Sequence, residues 1–226
     1  LAQALAKVQT PDCQPIPLEE ALAIYEDYRA AMMAFLDAVP DYLNTITPKV
    51  RHLILKAAWF MDKKVYTEKI RALTAALQAQ PKEVFSGKKF LVTGIMLDSL
   101  PVLDLLEELN VAVVDDLLCH ESMQFRTPTR EGGTVASKLA YRFLDLKGAS
   151  PPYEPKKPRG KWLAQLAKAR GADAVYFCLM KFCDPEAFDY PLVKKDLEEA
   201  GVPLLSVEHD QLVHSTEQLR TRSQGF

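Results

Sequence analysis

The feature that most constrains this fold is a short apolar run at residues 174–179, broken at once by the segment KFCDP at residues 181–185. A run of this length that is rich in Val, Tyr and Phe is typical of a buried strand in a parallel sheet. We predict a helix after the break, with Asp189 as its N-cap and Pro191 in its first turn, where a missing N–H costs nothing. Cys183 therefore falls just beyond the carboxyl end of a strand, where open α/β sheets bind their ligands.

Short apolar runs and helical patterns alternate through residues 87–226. This alternation predicts an α/β fold in which parallel strands are joined by helices that cover both faces of the sheet. The four predicted strands lie at residues 89–95, 111–115, 174–179 and 202–208. A doubly wound order of 2-1-3-4 is the natural arrangement, and it places the switch point between the first and third strands, flanked by Gly94 and Cys183.

The helices predicted in this part of the chain have recognisable start and stop signals. They are expected at residues 100–109, 135–146, 161–170 and 189–200, with a last helix after residue 215. Gly171 and Gly201 suit the position that follows a helix end. Residues 215–218, STEQ, are typical of a capping box. The proline-rich connection at residues 148–158 is incompatible with regular structure.

A helical unit is predicted before the sheet, over residues 18–80. Apolar residues recur at helical spacing from Leu18, and Pro40 ends that helix. Thr47 and Pro48 open a second helix, whose apolar positions begin at Val50, Leu53, Ile54 and Ala57, and a third helix starts near residue 63. The chain therefore divides into a lead-in and three-helix unit at residues 1–86 and an α/β domain at residues 87–226, which carries Cys183.

Composition excludes several classes of function. A net charge of −2 gives no electrostatic reason to expect nucleic acid or an anionic membrane as a partner. No apolar run approaches the roughly 20 residues of a membrane span, and the N-terminus lacks the pattern of a signal peptide. The four cysteines do not resemble a secreted disulfide framework, so we expect a cytoplasmic protein. Because the chain begins at Leu1 and not at Met, we expect it to be processed or part of a longer protein.

Cys183 has three chemical roles open to it: metal or cluster ligand, nucleophile, or small apolar filler. There is no CxxC pair, which disfavours zinc. A nucleophilic cysteine needs a base, and His209, between Glu208 and Asp210, is the best candidate, although no hydrolase signature is present. The residues themselves do not choose between a ligand and a filler, because free cysteine is among the most buried residue types.

Other candidate residues follow the same edge of the predicted sheet. Cys119 comes after Asp115 and Asp116 at the end of the second strand, so it opens toward the edge that carries Cys183. A structural role for Cys119 is favoured over ligation. We interpret the two aspartates as loop carboxylates, with metal binding as the minor alternative. Cys178 lies inside a strand and is expected to pack under a helix.

Phosphate-binding signatures are scarce in this chain. The glycine-rich turn EGGT at residues 131–134 precedes a helix and suits either a phosphate, such as that of coenzyme A, or a surface loop. Neither GxGxxG nor GxxxxGK[ST] occurs, so the chain itself has no dinucleotide fingerprint and no P-loop.

Several segments together resemble the 2-hydroxyacyl-CoA dehydratase / benzoyl-CoA reductase family. They are KFCDPE (residues 181–186), DYPL (189–192), LEEAGVP (197–203), EQLRTR (217–222) and VDDLLC (114–119), in the family's order and within a match over roughly residues 18–226. Two places depart from the family: HESMQ at residues 120–124, where members tend to have a small residue, Ser and Arg, and the proline-rich connection, which has no cysteine.

The resemblance implies an iron–sulfur enzyme. Subunits of this family hold a 4Fe-4S cluster with three cysteines, the last of which matches Cys183; Cys119 is a second, weaker candidate. The other two family cysteines belong to an N-terminal domain that is not in this sequence, so we expect a cluster in the complete protein and none on this chain alone.

The reaction that the resemblance implies is dehydration of an (R)-2-hydroxyacyl-CoA to an enoyl-CoA by a radical route, after one-electron activation by an ATP-dependent iron–sulfur activator protein. The implied partners are that activator, a homologous second subunit and the acyl-CoA substrate. The alternatives are a reductase subunit of the benzoyl-CoA type and, in another class, a non-catalytic module of the same ancestry without a cluster.

Overall fold

A computed structural model describes residues 16–148 and 154–210, together with residues 216, 217, 220 and 221. Its centre is one parallel sheet of four strands in the order β2-β1-β3-β4, which confirms the predicted fold class and strand order. The strands are β1 (Lys88–Gly94), β2 (Val111–Leu118), β3 (Ala174–Met180) and β4 (Leu204–His209).

Eight α-helices accompany the sheet within the described residues. Three precede it: α1 (Leu18–Ala38), α2 (Pro48–Ala57) and α3 (Lys63–Gln78). The others are α4 (Leu100–Glu108), α5 (Met123–Arg126), α6 (Val135–Leu144), α7 (Arg159–Arg170) and α8 (Asp184–Glu199). No helix among them is both long and apolar enough to cross a membrane.

Local signals account for several helix ends. Thr47 caps α2 by accepting the N–H of Val50, and Pro48 occupies the first turn, as predicted. Gly171 ends α7 in the left-handed conformation, with φ of 62°. The capping box predicted at residues 215–218 lies in part outside the described residues.

Helices cover both faces of the sheet. On one face α4 packs on alternate residues of β1 and β3, among them Phe90 and Tyr176. On the other face α7 and α8 pack on the residues between these, such as Leu91 and Phe177. The unit of α1, α2 and α3 shares a buried cluster with Ala112 and Val114 of β2, so it rests directly on the sheet.

The start of α8 corrects the sequence prediction. This helix begins at Asp184 with Cys183 as its N-cap, whereas Asp189 lies inside it and is buried. Pro185 takes the first-turn position that was assigned to Pro191, and Pro191 lies within the helix. Pro185 and Pro191 both fit the preference for proline in a first helical turn. Pro185 is preceded by Asp184, an acidic residue that suits the positive end of the helix.

The structure also corrects the predicted end of β2. The strand was predicted to stop at Asp115 but continues to Leu118, with a shift in its pairing to β1 between Phe90 and Leu91. Asp115 and Asp116 are therefore not loop carboxylates. They lie inside the strand and are fully buried.

Candidate functional site

The carboxyl edge of the sheet is where β1, β2 and β3 end side by side. The N–H of Cys119, just after β2, donates to the carbonyl of Ile95, just after β1, at 3.1 Å. Gly94 ends β1 with φ of 137°, and a Cβ at this position would collide with the carbonyl oxygen of Cys178 on β3. Only glycine therefore allows β1 and β3 to approach so closely at the switch point.

Cys183 is presented at this edge by a tight turn. It is the N-cap of α8 and is half-buried, and its carbonyl accepts the N–H of Ala187 at 3.0 Å. The cap position places Cys183 at the positive end of the helix dipole. Phe182, which precedes it, is 99% exposed and has a left-handed backbone with φ of 63°. Such a conformation is costly for a bulky residue, so the turn that presents Cys183 stores local strain.

Cys119 lies at the same edge, as the sequence predicted. Its thiol is half-buried, and its sulfur is 4.0 Å from the sulfur of Met123. Burial raises the pKa of Cys119 to about 11; nearby Arg159 acts against this, while Glu186 and Cys183 reinforce it. The two candidate ligands, Cys119 and Cys183, are therefore close enough for the charge of one to affect the pKa of the other.

Cys178 differs from both of these cysteines because it lies inside β3. Its side chain is fully buried in the cluster that α4 forms with the sheet, and burial raises the pKa of its thiol well above the ordinary value. Cys178 is therefore a packed core residue, as expected for a cysteine inside a strand.

A buried ion pair lies behind the edge, and sequence reasoning missed it. The guanidinium of Arg159, the first residue of α7, donates to Glu186 in the first turn of α8 at 2.6 Å and to the hydroxyl of Thr93 on β1 at 2.9 Å. Neither charged side chain is more than 4% exposed. The pair holds the starts of α7 and α8 against the end of β1. Each residue is one of two like charges in its first helical turn, beside Lys161 and Asp184, and that pattern is equally typical of exposed side chains.

A second polar group, the α2–β2 polar network, consists of four buried residues, Arg51, His52, Asp116 and Glu121, and two partly exposed ones, Lys56 and Asp98. Arg51 donates to Asp116 and, at 2.8 Å, to Glu121. His52 lies 2.7 Å from Glu121 through Nδ1 and 3.1 Å from Asp98 through Nε2. The network connects helix α2 to the loop after β2 that carries Cys119.

This network corrects the apolar stripe predicted for α2. Val50 and Leu53 are exposed, whereas Arg51 and His52 face the interior together with Leu55. Ile54 and Ala57 of the predicted stripe are partly buried and pack against the core, as predicted. The stripe missed Arg51 and His52, because buried polar side chains do not appear in a pattern of apolar spacing.

The two aspartates of β2 are neutralised by arginines and backbone N–H groups. Asp115 accepts from Arg126 and, at 2.8 Å, from Arg170. Asp116 accepts the N–H groups of Leu118 and Ser122, which shapes the loop between them. Burial by itself disfavours the charged form of Asp116, but Arg51 and Arg126 outweigh it and lower the pKa. These occupied oxygens leave Asp115 and Asp116 unsuited to be a metal pair.

Two other sequence predictions concern the turn at residues 131–134 and His209. The turn at residues 131–134 is exposed, and the hydroxyl of Thr134 caps α6 by accepting the N–H of Ser137 at 3.2 Å. The side chain of His209, the base considered for a nucleophilic Cys183, lies outside the described side chains.

Comparison with known proteins finds relatives that are subunits of acyl-CoA dehydratases. The model of the family "2-hydroxyglutaryl-CoA dehydratase, D-component" matches residues 1–226. The chain is 43% identical over 209 residues to the (R)-phenyllactyl-CoA dehydratase beta subunit of Clostridium sporogenes and 40% identical over 210 residues to the lactoyl-CoA dehydratase subunit beta of Anaerotignum propionicum. It is 31% identical over 211 residues to the (R)-2-hydroxyglutaryl-CoA dehydratase subunit beta of Acidaminococcus fermentans.

These matches extend over nearly the whole chain. Each covers 92% of this chain and 56% of the relative, so the chain spans little more than half the length of these relatives. The family match and the identities confirm the resemblance drawn from the segments around Cys119 and Cys183. The chain belongs to the 2-hydroxyglutaryl-CoA dehydratase D-component family.

Proposed function

We propose that this chain serves in a subunit of a 2-hydroxyacyl-CoA dehydratase, an enzyme that removes water from an (R)-2-hydroxyacyl-CoA to form an enoyl-CoA. The observation that carries the proposal is the position of Cys183: a half-buried N-cap at the switch point of the sheet, within a chain of this family. The names of the relatives support an acyl-CoA substrate and a two-subunit enzyme.

We propose Cys183 as one ligand of a 4Fe-4S cluster and Cys119 as the weaker second candidate. Thiolates are the usual ligands of such clusters, and both thiols lie at one edge, where each is half-buried. Cys178 is excluded by its full burial within β3. A cube of this kind takes about four ligands, so residues beyond these two have to complete the set. When bound, the cluster supplies a low-potential electron to the thioester.

The residues of this chain hold the ligand turn in place. The buried pair of Arg159 and Glu186 anchors the first turn of α8, directly after Cys183. Asp116 shapes the loop that begins at Cys119 through its bonds to two backbone N–H groups. Both ligand positions are therefore preorganised by groups that cannot move without leaving a buried charge unpaired.

The proposed partners are a homologous second subunit and an ATP-dependent iron–sulfur activator protein. The first is supported by the naming of the relatives as beta subunits. A second protein surface at this edge would also cover the exposed rings of Phe182 and Phe188, which flank Cys183 in sequence. We propose a cytoplasmic location, because the three cysteines that the structure describes are free thiols.

The decisive experiment compares Cys183→Ser with Cys178→Ser in the full-length protein. Both variants are reconstituted anaerobically with iron and sulfide, and bound iron and the EPR signal of the reduced state are measured. We expect Cys183→Ser to lower iron content and to abolish dehydration with activator, ATP and reductant, whereas Cys178→Ser retains both. Full cluster occupancy in Cys183→Ser would refute the assignment.

The same measurement separates the enzyme from a module without a cluster. Wild-type protein that binds about four iron atoms and shows the reduced-state EPR signal supports the dehydratase. A wild-type protein that assembles with its partner subunit but binds no iron would support the non-catalytic alternative. Cys119→Ser, measured beside the other two variants, tests the weaker ligand candidate.

A further inference from the structure

The two ring nitrogens of His120 differ in their contacts: Nδ1 faces a backbone carbonyl, whereas Nε2 has no hydrogen-bond partner among the described residues. Its Nδ1 faces the carbonyl of Ile95 at 3.3 Å, and since a carbonyl only accepts, Nδ1 carries the proton. This leaves a lone pair on Nε2. That atom is buried and has no hydrogen-bond partner within the described part of the chain. It faces Glu121, whose Oε1 is 3.7 Å away, too far for a hydrogen bond.

Two more donor atoms converge on the same point. His52, His120 and Glu121 each offer one ligand atom, and these three atoms all lie within 4.8 Å of one another. His52 and Glu121 are buried, and His120 is half-buried on the open side of the group. The rings of the two histidines are 5.9 Å apart between centroids.

We propose that His52, His120 and Glu121 bind a divalent first-row transition metal ion, such as Zn²⁺ or Fe²⁺. Two imidazoles and one carboxylate are a donor set that these ions favour, with a further position left for water. Donor atoms about 2.0–2.1 Å from a tetrahedral ion lie about 3.3 Å from one another. The 3.7 Å between His120 and Glu121 is close to this value, and the 2.7 Å between His52 and Glu121 has to widen by about half an ångström.

Each proposed ligand is oriented by a partner on its far side, as in known metal sites. Nε2 of His52 faces Asp98 at 3.1 Å, so this ring presents Nδ1 to the ion. Nδ1 of His120 is held by the carbonyl of Ile95. The second oxygen of Glu121 accepts from Arg51 at 2.8 Å, which leaves Oε1 for the ion.

The charge of the surroundings also favours a cation. The α2–β2 polar network contains two basic side chains, Arg51 and Lys56, and three carboxylates, Asp98, Asp116 and Glu121. Ligation requires neutral imidazoles, so the ion would displace the proton that Nδ1 of His52 directs toward Glu121, and with both rings neutral the network carries one net negative charge. An ion at this point would join helix α2 to the loop after β2, so the site would stabilise the contact between the helical unit and the sheet edge. The inference does not depend on an iron–sulfur cluster or on the proposed reaction.

The test is a titration of the full-length protein, freed of cluster and metals with a chelator, with Co²⁺ under anaerobic conditions. We expect saturable binding with visible d–d bands and without the near-ultraviolet charge-transfer band of a thiolate ligand. His120→Ala should weaken binding at least about tenfold, because one ligand is lost. Cys119→Ser and Cys183→Ser should bind Co²⁺ like the wild type.

A second readout is thermal unfolding with and without Zn²⁺. Because binding to the folded state alone raises its stability, Zn²⁺ should raise the Tm of the wild type and of Cys119→Ser but not that of His120→Ala. The circular dichroism spectrum of His120→Ala should match that of the wild type, because His120 is only half-buried. Equal Co²⁺ binding in wild type and His120→Ala, binding that depends on the cysteines, or no saturable binding would overturn the proposal.

Discussion

Arg51 on α2 and Asp116 on β2 form an ion pair inside the protein, and neither side chain exposes more than 2% of its surface. The same aspartate accepts the N–H groups of Leu118 and Ser122. One interaction therefore connects the helical unit, the central sheet and the loop that carries Cys119. Removing either charge would leave the other buried without its partner.

Arg51→Met should lower the free energy of unfolding by about 3–5 kcal/mol, because it leaves buried carboxylates uncompensated. The matched control is Arg71→Met, which removes the arginine of an exposed pair with Asp27 and should leave the free energy of unfolding nearly unchanged. Denaturant unfolding followed by circular dichroism measures both. Similar losses of unfolding free energy in the two variants would show that the buried pair stabilises the protein no more than an exposed pair does.

The hydroxyl groups of Tyr28 and Tyr66 provide a second comparison. Both tyrosines are buried, but Tyr66 donates to the carbonyl of Ile54, whereas the hydroxyl of Tyr28 has no partner among the described residues. Tyr28→Phe should therefore raise the free energy of unfolding by about 1 kcal/mol, and Tyr66→Phe should lower it by about 1 kcal/mol. Chemical unfolding of the two single variants tests the opposite signs; a loss in Tyr28→Phe would reveal a partner for its hydroxyl.

The raised pKa of Cys119 predicts the pH dependence of its alkylation. Only the thiolate reacts, and burial holds the pKa at about 11, so the rate in folded, cluster-free protein should keep rising about tenfold per pH unit through pH 9. The control is the same protein in urea, where the pKa returns to about 8.5 and the rate levels off above pH 9. Mass spectrometry of the Cys119 peptide after timed exposure to iodoacetamide gives both curves. A plateau near pH 9 in the folded protein would contradict the burial argument.

The same shift has a consequence for stability. Because the folded-state pKa of Cys119 is above the unfolded one, its neutral thiol contributes stability that is fully present below the unfolded pKa. That contribution is lost as pH rises toward about 11.

The left-handed backbone at Phe182 can be tested by two substitutions that remove the same exposed ring. Glycine adopts φ of 63° without steric cost, whereas alanine retains the cost that Phe182 bears. The free energy of unfolding of Phe182→Gly should therefore be about 1 kcal/mol higher than that of Phe182→Ala. Equilibrium denaturation of the two variants measures the difference. A more stable alanine variant would show that the turn before Cys183 relaxes away from the left-handed region.

Much of the fold followed from local patterns in the sequence. The alternation of short apolar runs with helices predicted the parallel sheet and its order, because right-handed crossovers leave few other arrangements. Thr47, Pro48 and Gly171 marked helix ends correctly, since caps depend on neighbouring backbone groups only. The placement of Cys183 just after a strand was also correct, because the apolar run ends before it. The relation to the dehydratase family was predicted from short segments, including those around Cys183.

Tertiary structure decided where the buried charges lie. Nothing local marks Arg51 or Glu186 as interior residues, because a charge is buried only where a distant partner neutralises it. The orientation of α2 was predicted only in part on this account: Ile54 and Ala57 pack against the core, but Val50 and Leu53 are exposed. Arg51 and His52 instead turn inward to meet the loop after β2. The sequence by itself thus determined the four strands, most of the helices and the family to which the chain belongs. The convergence of His52, His120 and Glu121 depends on packing between elements far apart in the chain.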